Sequence, residues 1–178
     1  MERRTCGRDC GEDMMANCPK CGRRLVEPSG PVRSPVLIVG EFPGVDEIRR
    51  GIPWIGRAGD ILRNEMGRAG LSLERCRITN LWLHGVTDDC DKDWHMTQLK
   101  KELLGRAAVL LMGSDVLAEF LPGESVMELN GLEIISPELP RSVRVCLVTM
   151  NPAICMYDKM GETRFALSRF ADAAKEVM

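Results

Sequence analysis

Runs of apolar residues separated by polar, periodic stretches dominate the chain from residue 36 onward. Residues 36–39 (VLIV), 77–83, 107–112 and 143–149 are short and mostly apolar, as expected of strands buried on both faces. Between them lie segments with helical spacing. Residues 58–69 carry Ile61, Leu62, Met66 and Ala69 on one side, with Arg63, Asn64, Glu65 and Arg68 opposite. Residues 96–104 point Leu99 and Leu103 inward, a short helix is expected up to Leu121, and 162–177 form a last helix burying Phe165, Phe170, Ala174 and Val177. Segments 126–129 and 132–135 read as a hairpin around Asn130-Gly131. Strands alternating with helices predict an α/β domain of three layers, α/β/α, around a central, mostly parallel four-stranded sheet. It would span residues 36–178, after a Cys-rich metal-binding arm and connector over 1–35.

The first strand runs into Gly40-Glu41-Phe42-Pro43-Gly44-Val45-Asp46-Glu47. Gly40 and Gly44 permit a tight turn and close approach to a ligand, and Pro43 stiffens it. Ligands of open α/β sheets bind at the carboxyl ends of strands. Asn80 ends the second strand and Met150–Met156 follow the fourth, so three candidate loops share one edge.

Composition narrows the classes. A chain of 178 residues suits one domain with a real core. A net charge of −2 is not the footprint of a protein that coats nucleic acid indiscriminately, although Arg49, Arg50, Arg57, Arg63, Arg68, Arg75 and Arg77 lie near the loop in sequence. Neither a membrane-length apolar run nor a signal peptide is evident, so a soluble, cytoplasmic protein is expected. Four of the eight cysteines fall within the first 21 residues. Such clustering suggests a metal rather than disulfides, and Cys18-Pro19-Lys20-Cys21-Gly22 has the form of a metal knuckle. A zinc site on Cys6, Cys10, Cys18 and Cys21 is one arrangement. Cys76 and Cys146 lie in apolar strands and are expected in the core.

Three ordered motifs add a family resemblance: GEFPG at 40–44, Gly51-Ile52-Pro53-Trp54-Ile55-Gly56-Arg57-Ala58-Gly59, and Thr79-Asn80. The pattern resembles the uracil-DNA glycosylase superfamily, most of all its iron–sulfur-containing, family 4-like branches. The resemblance implies an enzyme that flips uracil from single- or double-stranded DNA and hydrolyses its N-glycosidic bond. Gly40, Phe42, Pro43, Gly44, Trp54 and Asn80 would bind the base. Trp54 occupies the place of a stacking Phe, and the Asn80 amide would read the base edge. Glu41, and second Glu47, would act on water. Asn151 would stabilise the leaving base, standing where relatives carry a histidine, with Ala153 in place of their serine. Ile154 and Met156 could wedge into the duplex. The resemblance further implies a [4Fe-4S] cluster on Cys18, Cys21, His84 and Cys90, with His95 an alternative fourth ligand. Asn151 and Phe42 depart from the family pattern. They keep two alternatives open: an inactive module that binds DNA or a partner protein, and a glycosylase for another modified base.

Overall fold

The computed structural model describes residues 16–86, 89–153 and 160–178. Cys6 and Cys10, half of the zinc alternative, lie outside the described residues, as do Ile154, Cys155 and Met156. Strands β1 (Val36–Gly40), β2 (Arg77–Asn80), β3 (Ala108–Met112) and β4 (Val145–Thr149) form one parallel sheet in the order β2-β1-β3-β4. Helices α1 (Val45–Arg50), α2 (Arg57–Arg68), α3 (Lys92–Leu103), α4 (Ser114–Phe120) and α5 (Met160–Lys175) complete the fold.

The period-2 geometry of the strands divides the core in two. Val36, Ile38, Leu110 and Met112 face α2 and α5, meeting Leu62, Met66, Leu167 and Phe170. Leu37, Val39, Val109 and Leu111 face α3 and α4, meeting Leu99, Leu103, Leu117 and Phe120. Each large apolar side chain removed from water contributes about 2–3 kcal/mol. Both faces are thus covered, which gives the expected three-layer α/β/α architecture. Cys76 and Cys146 are core residues. No helix among the described residues is long and apolar enough to cross a membrane.

Several local expectations are corrected. The stretch around Asn130-Gly131 is not a hairpin. Gly131 N–H donates to Val148 O, Val148 N–H to Leu132 O, and Ile134 N–H to Cys146 O. The turn itself closes, with Leu132 N–H donating to Leu129 O at 2.9 Å, but the residues after it pair with the open edge of β4 rather than with 126–129, because an edge strand offers an unpaired ladder. β2 stops at Asn80, not at residue 83, and the chain then bends while Leu81 and Trp82 donate to Gly40 O and Glu41 O. α3 begins four residues early because Asp91 caps it, accepting from Asp93 N–H at 3.0 Å and Trp94 N–H at 3.4 Å. Phe165 is exposed and lies beneath the Arg169 guanidinium. Glu65, expected outward, is buried and accepts from Arg164 and Arg68.

The connector lies along β2: Ser29 exchanges backbone hydrogen bonds with Ile78, and Val26 N–H donates to Leu83 O at 2.6 Å. This fixes the Cys-rich arm against the strand that carries Asn80.

Candidate functional site

β1 lies between β2 and β3, so the direction of chain crossover reverses beside it, and a crevice opens at the carboxyl ends of β1 and β3. Gly40 sits at its floor. A Cβ there would fall 2.4 Å from the Trp54 ring and 2.5 Å from Asn80 Oδ1, so only glycine lets these two side chains close over the strand end. Trp54 holds its backbone at φ 59°, a left-handed conformation that costs a non-glycine residue of order 1–3 kcal/mol. Two contacts hold it there. Gly59 of α2 is pressed on the Trp54 carbonyl so closely that a Cβ would stand 1.8 Å from its oxygen, and Arg63 donates to the same oxygen at 3.4 Å.

The two acids are placed differently. Glu47 is buried at the start of α1, where its carboxylate accepts from Gly44 N–H at 2.6 Å and Gly56 N–H at 3.5 Å. It therefore braces the GEFPG loop against the loop that carries Trp54. Glu41 turns toward the start of α4, accepting from Asp115 N–H at 3.1 Å and Ser114 Oγ at 3.4 Å. Its other oxygen accepts from Asn151 Nδ2 at 3.4 Å. Gly113 makes room, since a Cβ there would sit 2.2 Å from the Glu41 carboxyl carbon. The Asn151 oxygen in turn accepts from Ala153 N–H at 3.0 Å, so both ends of the amide are fixed.

A cleft of about 390 Å³ lies over this floor, lined by Phe42, Gly44, Glu47, Trp54, Arg57, Asn151 and Ala153 among others. Phe42 is 49% exposed, so its ring forms a lip of the cleft and does not fill it. Pro43 is buried beneath. Asn80 is 3% exposed and lies off the cleft wall, with the Trp54 indole beside it over Gly40. Asn80 Nδ2 and Trp54 Nε1 are buried and donate to no group among the described residues. Two unpaired buried donors side by side are costly, and an acceptor-bearing ligand would relieve them.

The sequence reading placed Arg57 near the loop only as one of a run of arginines, and it gave Asn130 no part in the site; the structure puts Arg57 on the cleft wall. The Asn130 Oδ1 accepts from Thr149 Oγ1 at 3.0 Å and Met150 N–H at 3.2 Å, which sets the angle at which the chain leaves β4 toward Asn151. The Asn-Gly dipeptide drew attention to this position for its turn chemistry alone.

A second constellation lies behind β2. Gly22 takes a left-handed φ of 74° and donates to Cys18 O, closing the knuckle. His84 follows β2, Cys90 precedes α3, and His95 lies in its first turns. One ligand atom from each of Cys18, His84, Cys90 and His95 falls within 4.8 Å of all the others, and Cys21 Sγ is 3.3 Å from His84 Nε2. Leu25 and Leu83 pack around this group. Burial first, and then the adjoining Cys21 and Cys18 sulfurs, push the Cys90 thiol up to about 12. Burial, with His84 next, drives the His95 imidazole down to about 4. A Cys/His cluster of this composition can hold a metal ion.

Comparison with known proteins agrees with this geometry. Residues 27–175 match the family model described as the uracil DNA glycosylase superfamily. A type-4 uracil-DNA glycosylase of Pyrobaculum aerophilum is 34% identical over 74 residues, 39% of this chain and 38% of the relative. One of Archaeoglobus fulgidus is 33% identical over 70 residues, covering 36% of this chain and 35% of the relative. The matched stretch thus spans little more than a third of each relative. With the family match extending over most of the chain, from the connector to the end of α5, the protein belongs to the uracil DNA glycosylase superfamily.

Proposed function

We propose that this protein is a uracil-DNA glycosylase that extrudes uracil from DNA and hydrolyses its N-glycosidic bond. The observation that carries the reading is the pair of unpaired buried donors, Asn80 Nδ2 and Trp54 Nε1, where β1 and β2 end, next to the cleft that Trp54 lines. A pyrimidine dione offers carbonyl acceptors to such donors, and its flat ring suits an indole wall. An enzyme that acts on a base must draw it out of the stack into a pocket of this kind.

In this reading, Trp54 stacks on the base and Asn80 reads its edge. Bond cleavage leaves positive charge on the sugar and negative charge on the departing base. The Asn151 amide donates toward that base, and Glu41 acts as a positioning residue that holds the amide. Glu47, which lines the cleft, offers its carboxylate to the sugar and to the attacking water. The metal centre uses Cys18, Cys21, His84 and Cys90. The motif resemblance implies a four-iron cluster on them, whereas their mutual spacing suits a smaller group.

A second reading, a module that binds DNA without hydrolysis, is favoured by one observation: the Trp54 ring and the buried Asn80 amide close on each other over Gly40. Single-turnover cleavage of single- and double-stranded uracil oligonucleotides by protein purified without oxygen separates the two. Cleavage that falls at least about a hundredfold in Asn80→Ala supports hydrolysis. Absence of cleavage in both the native protein and Trp54→Phe, with DNA binding retained, would overturn uracil hydrolysis, and absence of cleavage on oligonucleotides with other modified bases as well would leave the binding module.

A further inference from the structure

We propose that Cys18, Cys21, Cys90 and His84 hold one tetrahedral metal ion of the zinc type, in place of the four-iron cluster that the motif resemblance implies. The inference concerns the metal centre and is independent of base hydrolysis. It starts from the distances between donor atoms. Cys18 Sγ and Cys90 Sγ are 3.7 Å apart, His84 Nε2 and Cys90 Sγ 3.2 Å, and Cys21 Sγ and His84 Nε2 3.3 Å. Zinc–sulfur bonds of about 2.3 Å and zinc–nitrogen bonds of about 2.0 Å give tetrahedral edges of roughly 3.3–3.8 Å between donors. These three spacings, which link the four donors in a chain from Cys18 through Cys90 and His84 to Cys21, match edges of such a tetrahedron. In a cuboidal cluster each protein ligand binds a different iron. Its donors are then separated by two metal–ligand bonds and an iron–iron edge, so none of these pairs could sit in contact. The residues as arranged do not fit that group.

Hydrogen bonding selects four ligands from the five donors present. His84 Nδ1 lies 2.7 Å from Gly85 O. A carbonyl only accepts, so Nδ1 carries the hydrogen and Nε2 presents a lone pair to the centre. His95 is reversed: Leu83 N–H donates to its Nδ1 at 3.2 Å. The hydrogen of the neutral ring is then on Nε2, which lies 3.5 Å from Cys90 Sγ and 3.1 Å from His84 Nε2. An N–H cannot ligate. With the His84 lone pair taken by the metal, it donates to the Cys90 thiolate, the kind of outer-shell bond that tunes metal centres. Binding is an exchange of a divalent ion for protons, as the thiols of Cys18, Cys21 and Cys90 release theirs to water.

The test is metal and sulfide analysis, with absorption spectra, of the full chain expressed with iron and zinc both supplied and purified without oxygen. A single zinc per chain, no acid-labile sulfide and a colourless protein are expected. Replacement by cobalt should give the intense visible bands of a tetrahedral thiolate site. His95→Ala should retain the ion and shift the cobalt bands, whereas Cys90→Ser or His84→Ala should lose it. A brown protein with iron and sulfide in cluster stoichiometry would overturn the proposal. So would metal-free protein that, in a zinc titration against a chelator, shows no binding. Loss of the ion in His95→Ala from protein whose circular dichroism is unchanged would overturn the choice of ligands.

Discussion

Glycines decide the shape of the pocket at the scale of single residues. Gly59 is the sharpest case, because any side chain there meets the Trp54 carbonyl, which is backbone and cannot swing aside. Gly59→Ala is therefore expected to lower stability by about 1–3 kcal/mol, despite the gain in helix propensity that alanine brings. Urea unfolding would measure the loss, and the environment of Trp54 would report its source through fluorescence. An alanine variant as stable as the native protein would show that the left-handed Trp54 is not held by this contact. The Glu41–Asn151 hydrogen bond illustrates what a sequence conceals at this scale. Its partners are 110 residues apart, and neither residue type announces the other.

Between elements, the best-defined join is the one that Glu102 makes near the end of α3. Its carboxylate accepts from Arg77 at the start of β2, at 2.9 Å, and from Arg106 at 3.1 Å. Arg106 also donates to Val32 O and Ser34 O, just before β1. Arg77, with Arg106 behind it, holds the Glu102 carboxyl below the usual carboxylate range. A depressed folded-state value means that the stabilisation is complete above the unfolded carboxylate range, near pH ~4.3, and vanishes as pH falls through the lower folded value. Glu102→Gln should cost about 3 kcal/mol at neutral pH. The gap between variant and native protein in urea midpoints should narrow as pH falls from neutral into the acid range; a constant gap would contradict the assignment. The elements themselves were unequally legible. Strands buried on both faces leave an apolar signature in β1, β3 and β4, and β2 (RITN) was found beside the apolar residues that follow it, so its end was placed too far along. α1 was missed because six residues of VDEIRR have no apolar stripe, and its start is set by the Glu47 carboxylate rather than by a Ser or Thr cap. The Asn130-Gly131 turn forms as its chemistry suggests, but the residues around it pair with an edge strand that only the tertiary fold creates.

For the whole molecule, charge and the metal centre set the expectations. With a net charge of −2, affinity for phosphates must come from local cations. Arg57 is exposed on the cleft wall, so Arg57→Ala should weaken DNA binding uniformly across sequences and reduce the slope of log K against log salt by about 1. An unchanged slope would put the DNA backbone elsewhere. The arm packs on the sheet through a small group, Cys18, Leu25 and Leu83, apart from the two main core clusters. Removing the metal with a chelator should therefore speed amide exchange in residues 16–26, 81–86 and 89–95 while β1 and β3 keep their protection. Uniform loss of protection would mean that the centre supports the whole fold.

The Cys/His cluster also has a bearing on the order in which the site can be made. Cys21 and His84 meet across 63 residues of chain. That loop contains β1, α1, α2 and β2, and with them Gly40, Glu41, Phe42, Glu47, Trp54 and Asn80. Only Asn151, among the residues proposed to meet the base, lies beyond it. During synthesis both ends of the loop leave the ribosome before β3 does, and closing so long a loop costs little more entropy than closing one of half its length. A nascent chain can therefore tie off the part of the site that holds Trp54 and Asn80 early, and the strand that brings Asn151 arrives last.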